Sequence, residues 1–322
     1  MRPATIDYPD NITCIDTEQY RPGLAACYLI RSGDAYAFVD CGTSLSVPGI
    51  LEVLKHRGIA REQVAYVMPT HVHLDHAGGA GLLMRECPNA KLVIHPRGAK
   101  HMIDPAQLVA GAAGVYGEEN MVGLYGEIVP VPESRVIIAT DEFTIDFNGR
   151  ALRFIDAPGH ARHHYAIWDA TSRGWFTGDT FGVSYREFDG PEGAYLFPTT
   201  TPVQFEPDAW LATLHRFMEV DPVYMFLTHY GRVGNVHQLA ADLRGGIAMY
   251  QSIALHLASA PDRHARIRDA LTLHAVEELI ATGCALSERK IHEMLAMDME
   301  LNAQGLGVWL ARQQQTSETA AH

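Results

Sequence analysis

Short apolar runs and amphipathic stretches alternate up to about residue 235, and beyond it the pattern is amphipathic only. Ile12-Thr13-Cys14-Ile15, Cys27-Tyr28-Leu29-Ile30 and Tyr36-Ala37-Phe38-Val39 are brief apolar or β-branched runs separated by Gly23, Ser32-Gly33-Asp34 and Gly42, which predicts strands and turns. Val47, Ile50, Leu51, Val53 and Leu54 fall at helical spacing, and Gly58 ends the helix. Val64-Ala65-Tyr66-Val67-Met68 reads as a strand buried on both faces, followed by a helix from about Leu82 to Cys87 and a strand at Leu92-Val93-Ile94. Residues 104–127 are rich in Gly and Ala, helical in places, and read as an insertion.

The strand rhythm returns at Val136-Ile137-Ile138, Phe143-Thr144-Ile145, Leu152-Arg153-Phe154-Ile155, Tyr165-Ala166-Ile167-Trp168 and Trp175-Phe176-Thr177, with turns at Asn148-Gly149 and Arg173-Gly174. A loop over 182–207 precedes an amphipathic helix marked by Trp210, Leu211, Leu214, Phe217 and Met218, and Tyr224-Met225-Phe226-Leu227 is a last strand. Three helices follow, marked by Leu239/Leu243/Ile247, Ile267/Leu271/Leu279 and Ile291/Leu295/Met299, with a polar tail from Gln313 expected to fray. The expected organisation is an α/β body over 1–235 and a helical appendage over 236–322.

A chain of 322 residues suits two domains. Its 25 Lys+Arg against 38 Asp+Glu, a net charge of −13, disfavours nucleic-acid binding, which relies on clustered basic side chains. Cys14, Cys27, Cys41, Cys87 and Cys284 form no Cys-x-x-Cys pair, so a thiolate zinc site is not expected and the thiols are read as reduced. The N-terminal residues lack the apolar core of a signal peptide and no long apolar run occurs, so the expectation is a cytoplasmic protein with no membrane partner. The 17 histidines point elsewhere, to metal.

His71-x-His73-x-Asp75-His76 places three imidazoles and a carboxylate within six residues, directly after a strand. Alternating residues share a face, so His71 and His73 can approach one ion while Asp75 and His76, past the turn, face a second. Imidazole and carboxylate without thiolate suit zinc, iron or manganese. Pro158-Gly159-His160, Gly178-Asp179-Thr180 and Thr228-His229 each follow a strand end with another metal-competent side chain.

These motifs resemble those of the metallo-β-lactamase superfamily: Thr70-His71-x-His73-x-Asp75-His76-x-Gly78-Gly79, Pro158-Gly159-His160 with His164 beyond it, Gly178-Asp179-Thr180 and Thr228-His229, in order. The resemblance implies an α+β fold, a four-layer αββα sandwich with a C-terminal helical extension and the metals at one edge. It implies that His71, His73 and His160 hold one divalent ion, that Asp75, His76 and His229 hold the other, and that Asp179 bridges them, zinc being the expected metal and iron or manganese the alternatives. His164 matches a supporting position and His163 matches none.

Two cations sharing a carboxylate bring a bridging water to hydroxide near neutrality, and Asp75 is either a ligand only or also the group that orients the nucleophile and moves its proton. The expected reaction is hydrolysis of a small-molecule acyl substrate, a thioester, lactone or ester. The body-plus-helices layout is similar to that of glyoxalase II and of the quinolone-signal thioesterase. Tyr185 and Tyr195, in the loop after Asp179, are candidate oxyanion donors, or else their rings pack the loop onto the body. The Met294/Met297/Met299 helix is read as core or as a homodimer contact. Two other functions stay open: iron-dependent oxidation of a persulfide, and a ligand-responsive regulator whose metals are structural.

Overall fold

The computed structural model describes residues 2–200 and 204–320. The chain folds into two compact units. The first runs to Ala157 and adds His163–Gly178 and Asp221–Gly234, and the second comprises Pro158–Arg162, Asp179–Val220 and the chain from Asn235 onward.

The first unit holds two sheets. One runs in the order β1 (Thr5–Tyr8), β2 (Ile12–Asp16), β3 (Ala26–Ser32), β4 (Ala35–Val39), β5 (Val64–Met68), β6 (Lys91–Ile94) and β7 (Val136–Ile138). The other joins β8 (Thr144–Phe147), β9 (Arg150–Asp156), β10 (Tyr165–Asp169), β11 (Gly174–Gly178), β12 (Tyr224–Leu227) and β13 (Gly231–Val233). Hairpin-linked strands pair antiparallel, whereas β4–β5, β5–β6, β6–β7 and β11–β12 pair parallel and need crossovers. The β4–β5 crossover is helix α1 (Val47–His56), started by Pro48 in its first turn and closed by Lys55 and His56 against its negative end.

Period-two alternation divides the core. Tyr28, Ile30, Ala37 and Val39 point into the core shared by the sheets, where they meet Phe154, Tyr165, Phe176 and Phe226. Cys27, Leu29 and Phe38 point the other way, onto a core shared with α1 and with the helices α3 (Ala80–Glu86) and α4 (Pro96–Ile103). A single-turn helix, α2 (Leu74–Ala77), precedes α3. The Gly/Ala-rich segment forms α5 (Ala106–Tyr116) and α6 (Glu118–Tyr125), divided by Gly117 at φ +86°.

One polar pair is sunk into this unit. Arg150 Nε donates to Asp169 Oδ1 at 2.9 Å, and Arg150 Nη1 donates to the carbonyl of Asp10 at 2.6 Å. Arg150 is 5% and Asp169 0% exposed, so removal of the guanidinium would strand a buried carboxylate. Arg150→Met is expected to lower stability by about 3–5 kcal/mol, read as a fall in the urea midpoint at unchanged m-value.

In the second unit α7 (Pro207–Met218) starts on a proline, and α8 (Val236–His256), α9 (Arg263–Ala281) and α10 (Glu288–Ala320) pack through apolar stripes. Leu239, Leu243 and Ile247 supply α8, Ile267, Leu271 and Leu279 supply α9, and Ile291, Leu295, Met299 and Leu306 supply α10, all buried. Met299 belongs to this core, whereas Met297 is 40% exposed. The tail from Gln313 continues as helix to Ala320 rather than fraying, since polarity alone does not break a helix that contains no Gly or Pro there. Among the described residues, no helix is long and apolar enough to cross a membrane.

Candidate metal centre

In the first unit, β5 ends at Met68 and the chain turns through Pro69 and Thr70 into the histidine run. His71 Nε2 lies 2.7 Å from His73 Nδ1, so two imidazole nitrogens converge. His76 Nε2 lies 3.6 Å and His229 Nε2 3.3 Å from Asp75 Oδ2, and these three side chains place their ligand atoms within 4.8 Å of one another. His229 is the second residue after β12, which brings a residue distant in the chain to this group.

His71, His76 and His229 each have an oxygen at the other ring nitrogen. His76 Nδ1 donates to Asp40 Oδ2 at 2.9 Å, and His229 Nδ1 donates to the carbonyl of Leu24 at 2.9 Å. A carboxylate or carbonyl oxygen can only accept, so the proton sits on Nδ1 and the lone pair on Nε2 faces the centre. His71 Nδ1 lies 3.2 Å from Thr70 Oγ1, and Thr70 Oγ1 donates onward to Asp40 Oδ1 at 3.0 Å.

Asp40 is therefore the organising residue, and sequence reasoning misses it. It directly follows β4, is fully buried, and also accepts from the Thr70 backbone N–H at 2.7 Å and from Thr228 Oγ1 at 2.6 Å. It thereby orients His76 directly, His71 through Thr70, and the residue preceding His229. A lone aspartate in Val39-Asp40-Cys41-Gly42 has no metal-ligand spacing. The only available signal is its place at a strand end beside the strand that carries the histidines.

His164 stacks on His71 with ring centroids 4.7 Å apart and is fully buried. His163 Nδ1 is 3.5 Å from the Val72 backbone N–H. Gly178 has φ +49°, and a Cβ there would fall 2.5 Å from both His164 Nε2 and Thr70 Oγ1, which accounts for glycine immediately before Asp179. Cys41 Sγ lies 3.2 Å from the His76 carbonyl, and burial pushes its thiol well above the ordinary range. Its sulfur is turned to that carbonyl, and the converging donor atoms are nitrogen and oxygen, which fits a divalent ion such as zinc, iron or manganese.

In the second unit His160 Nε2 lies 3.3 Å from Asp179 Oδ2. His160 Nδ1 donates to the Thr199 carbonyl at 2.9 Å, the same arrangement seen for His76 and His229. The imidazole sits edge-on to Trp210, and the turn before it needs Gly159 at φ +134°, where a Cβ would fall 2.4 Å from the Trp210 side chain. By chain connection His160 lies in the β9–β10 loop, and Asp179 directly follows β11.

The candidate oxyanion donors have other partners. Tyr185 donates to Asp298 at 3.1 Å and Tyr195 to Glu278 at 3.0 Å. Burial, reinforced by the Glu278 carboxylate, pushes the Tyr195 hydroxyl well above its ordinary range, so it remains a donor. The two rings pack with Phe188 and Phe197, and residues 201–203 of the same loop lie outside the described residues. The rings thus pack within their own loop, and a hydroxyl serving a substrate would first have to leave its carboxylate.

Residues 20–229 match the profile described as the metallo-beta-lactamase superfamily. ST1585 of Sulfurisphaera tokodaii, a metallo-beta-lactamase fold-containing protein, is 26% identical over 216 residues, 66% of this chain and 75% of that one. The crystal structure of archaeal ST1585 superimposes with a TM-score of 0.62 at 22% identity, covering 88% of this chain and 93% of that chain. A metallo-beta-lactamase family protein of Thermus thermophilus, TTHA1429, superimposes with a TM-score of 0.56 at 20% identity, covering 92% of each chain. A hydroxyacylglutathione hydrolase of Synechococcus is 27% identical over 165 residues, 51% of this chain and 52% of that one.

Proposed function

Because the chain belongs to the metallo-beta-lactamase superfamily, we propose that it is a metal-dependent hydrolase of small acyl substrates, thioesters or lactones. In this reading His71, His73 and His160 hold one divalent ion, Asp75, His76 and His229 hold a second, and Asp179 serves both. The observation that carries it is the convergence of Asp75, His76 and His229, with the far nitrogen of each imidazole held by an acceptor. That is the outer arrangement by which proteins aim histidines at a metal. The partial likeness to a protein named hydroxyacylglutathione hydrolase supports the acyl class.

Bound divalent cations supply two things here, a lowered pKa for bound water and polarisation of a carbonyl. The chain supplies the orientation. Asp40 and the Leu24 carbonyl hold the proton of His76 and His229 on Nδ1, so that each would turn its Nε2 lone pair towards a bound metal. Asp75, about a quarter exposed, is the carboxylate placed to take a proton or orient the attacking group.

The test combines metal analysis with an activity panel. The expected result is two equivalents of metal per chain and turnover of an acyl thioester or lactone that chelation stops and zinc restores. A fully metallated protein inert to both classes would sink the reading. Oxygen uptake with a persulfide by the iron-loaded form would replace it with sulfur oxidation, and a partner protein that binds the inactive form equally well would favour a regulator.

A further inference from the structure

Asn302 is a buried carboxamide in the otherwise apolar stripe of α10, 1% exposed between Met299 and Leu306. A buried amide with unmet hydrogen bonds is costly, so its partners show what holds it there. Its Oδ1 accepts from the Thr200 backbone N–H at 2.7 Å, and its Nδ2 donates to the Pro198 carbonyl at 3.2 Å. Thr200 Oγ1 donates to the Asn302 backbone carbonyl at 3.0 Å. The carboxamide therefore grips the peptide groups on both sides of Thr199.

The Thr199 carbonyl left between those grips is the acceptor for His160 Nδ1 at 2.9 Å. A carbonyl accepts and cannot donate, so this contact requires the proton on Nδ1, while Nε2 faces Asp179 Oδ2 at 3.3 Å. The other face of the His160 turn is fastened separately. Glu206 N donates to the Gly159 carbonyl at 2.9 Å, and Thr213 Oγ1 donates to the Pro158 carbonyl at 2.7 Å. Those bonds place the backbone of the turn, whereas the Thr199 carbonyl addresses the imidazole Nδ1 itself.

The geometry points to Asn302 as a positioning residue for His160: through the 198–200 strap, the C-terminal helix sets the tautomer of that imidazole. Given the reading of His160 as a metal ligand, on which this inference rests, Asn302 couples the helical region to the affinity of one of the two ions. The helices then contribute to metal binding without supplying a ligand.

The experiment uses the full chain. Nitrogen-15 chemical shifts of the metal-free protein, at mildly alkaline pH where imidazole is neutral, report the His160 tautomer directly. The expected result is an Nδ1–H imidazole in the unaltered protein and a shift towards Nε2–H in Asn302→Leu. Leu306→Ala, which removes packing from the same helix stripe but no part of the clamp, should leave the tautomer unchanged. If Asn302→Leu does not fold, Asn302→Asp decides: it keeps the acceptor for Thr200 and loses the donor to Pro198, and should shift in the same direction.

Competition with a chromophoric chelator should show one of two zinc ions bound about 10–100-fold more weakly in Asn302→Leu, the scale of an outer-shell loss, and both unchanged in Leu306→Ala. A folded Asn302 variant that keeps the Nδ1–H signature would overturn the inference. A protein whose tautomer follows Asn302 but that takes up no zinc would overturn the dinuclear reading and leave the Asn302–His160 coupling standing.

Discussion

Asp179→Ala is expected to abolish turnover of any acyl substrate while leaving the protein folded. In the proposed centre Asp179 is the carboxylate common to both ions, and its Oδ2 already lies 3.3 Å from His160 Nε2. Loss of an outer-shell partner costs about 10–100-fold in metal affinity or activity, so loss of a shared ligand should exceed ~100-fold in kcat/KM. The fold should survive, because Asp179 follows the end of β11 and takes no part in the apolar cores of the sheets. The measurement is kcat/KM beside metal stoichiometry and a thermal melt. Activity within tenfold of the unaltered enzyme, at full metal loading, would remove Asp179 from the centre.

Asp40 is expected to give the largest combined effect on stability and metal binding. It is fully buried and accepts from the Thr70 N–H and hydroxyl, the Thr228 hydroxyl and His76 Nδ1. Asp40→Ala strands those donors and should lower stability by about 3–5 kcal/mol, the scale for breaking a buried charged network.

Asp40→Asn separates architecture from chemistry. Its oxygen can still serve Thr70, but a carboxamide NH2 facing His76 must donate. That drives the imidazole to accept at Nδ1 and moves its proton to Nε2, the nitrogen facing Asp75. The variant should therefore melt closer to the unaltered protein than Asp40→Ala does, yet lose zinc affinity by about 10–100-fold. Equal zinc binding in Asp40→Asn would show that the His76 tautomer does not matter.

The chain is legible where local rules suffice. Short β-branched runs separated by Gly, Asn-Gly and Arg-Gly turns mark β2 to β12 but not the edge strands β1 and β13, and alternation along Cys27-Tyr28-Leu29-Ile30 already encodes which side chains face which core. The division of the chain is harder to read. Pro158–Arg162 and Asp179–Val220 pack with the helices after Asn235 although they interrupt the strand region, and linear sequence carries no mark of which neighbours a loop will choose.

By itself the sequence determined the family and a metal-competent set of side chains, because spacing is local. His71, His73, Asp75 and His76 lie within six residues of one strand end, and the glycines before His160 and Asp179 are imposed by close approach to Trp210 and to His164 and Thr70. Only the tertiary structure decided what turns those side chains. Asp40, Leu24, Thr199 and Asn302 act through hydrogen bonds between residues distant in the chain, and such bonds leave no periodicity or motif. The same holds for Tyr185 and Tyr195, whose hydroxyl partners Asp298 and Glu278 lie on helices far along the chain. The candidate histidine run is written in short spacing, whereas the orientation of its side chains depends on long-range packing.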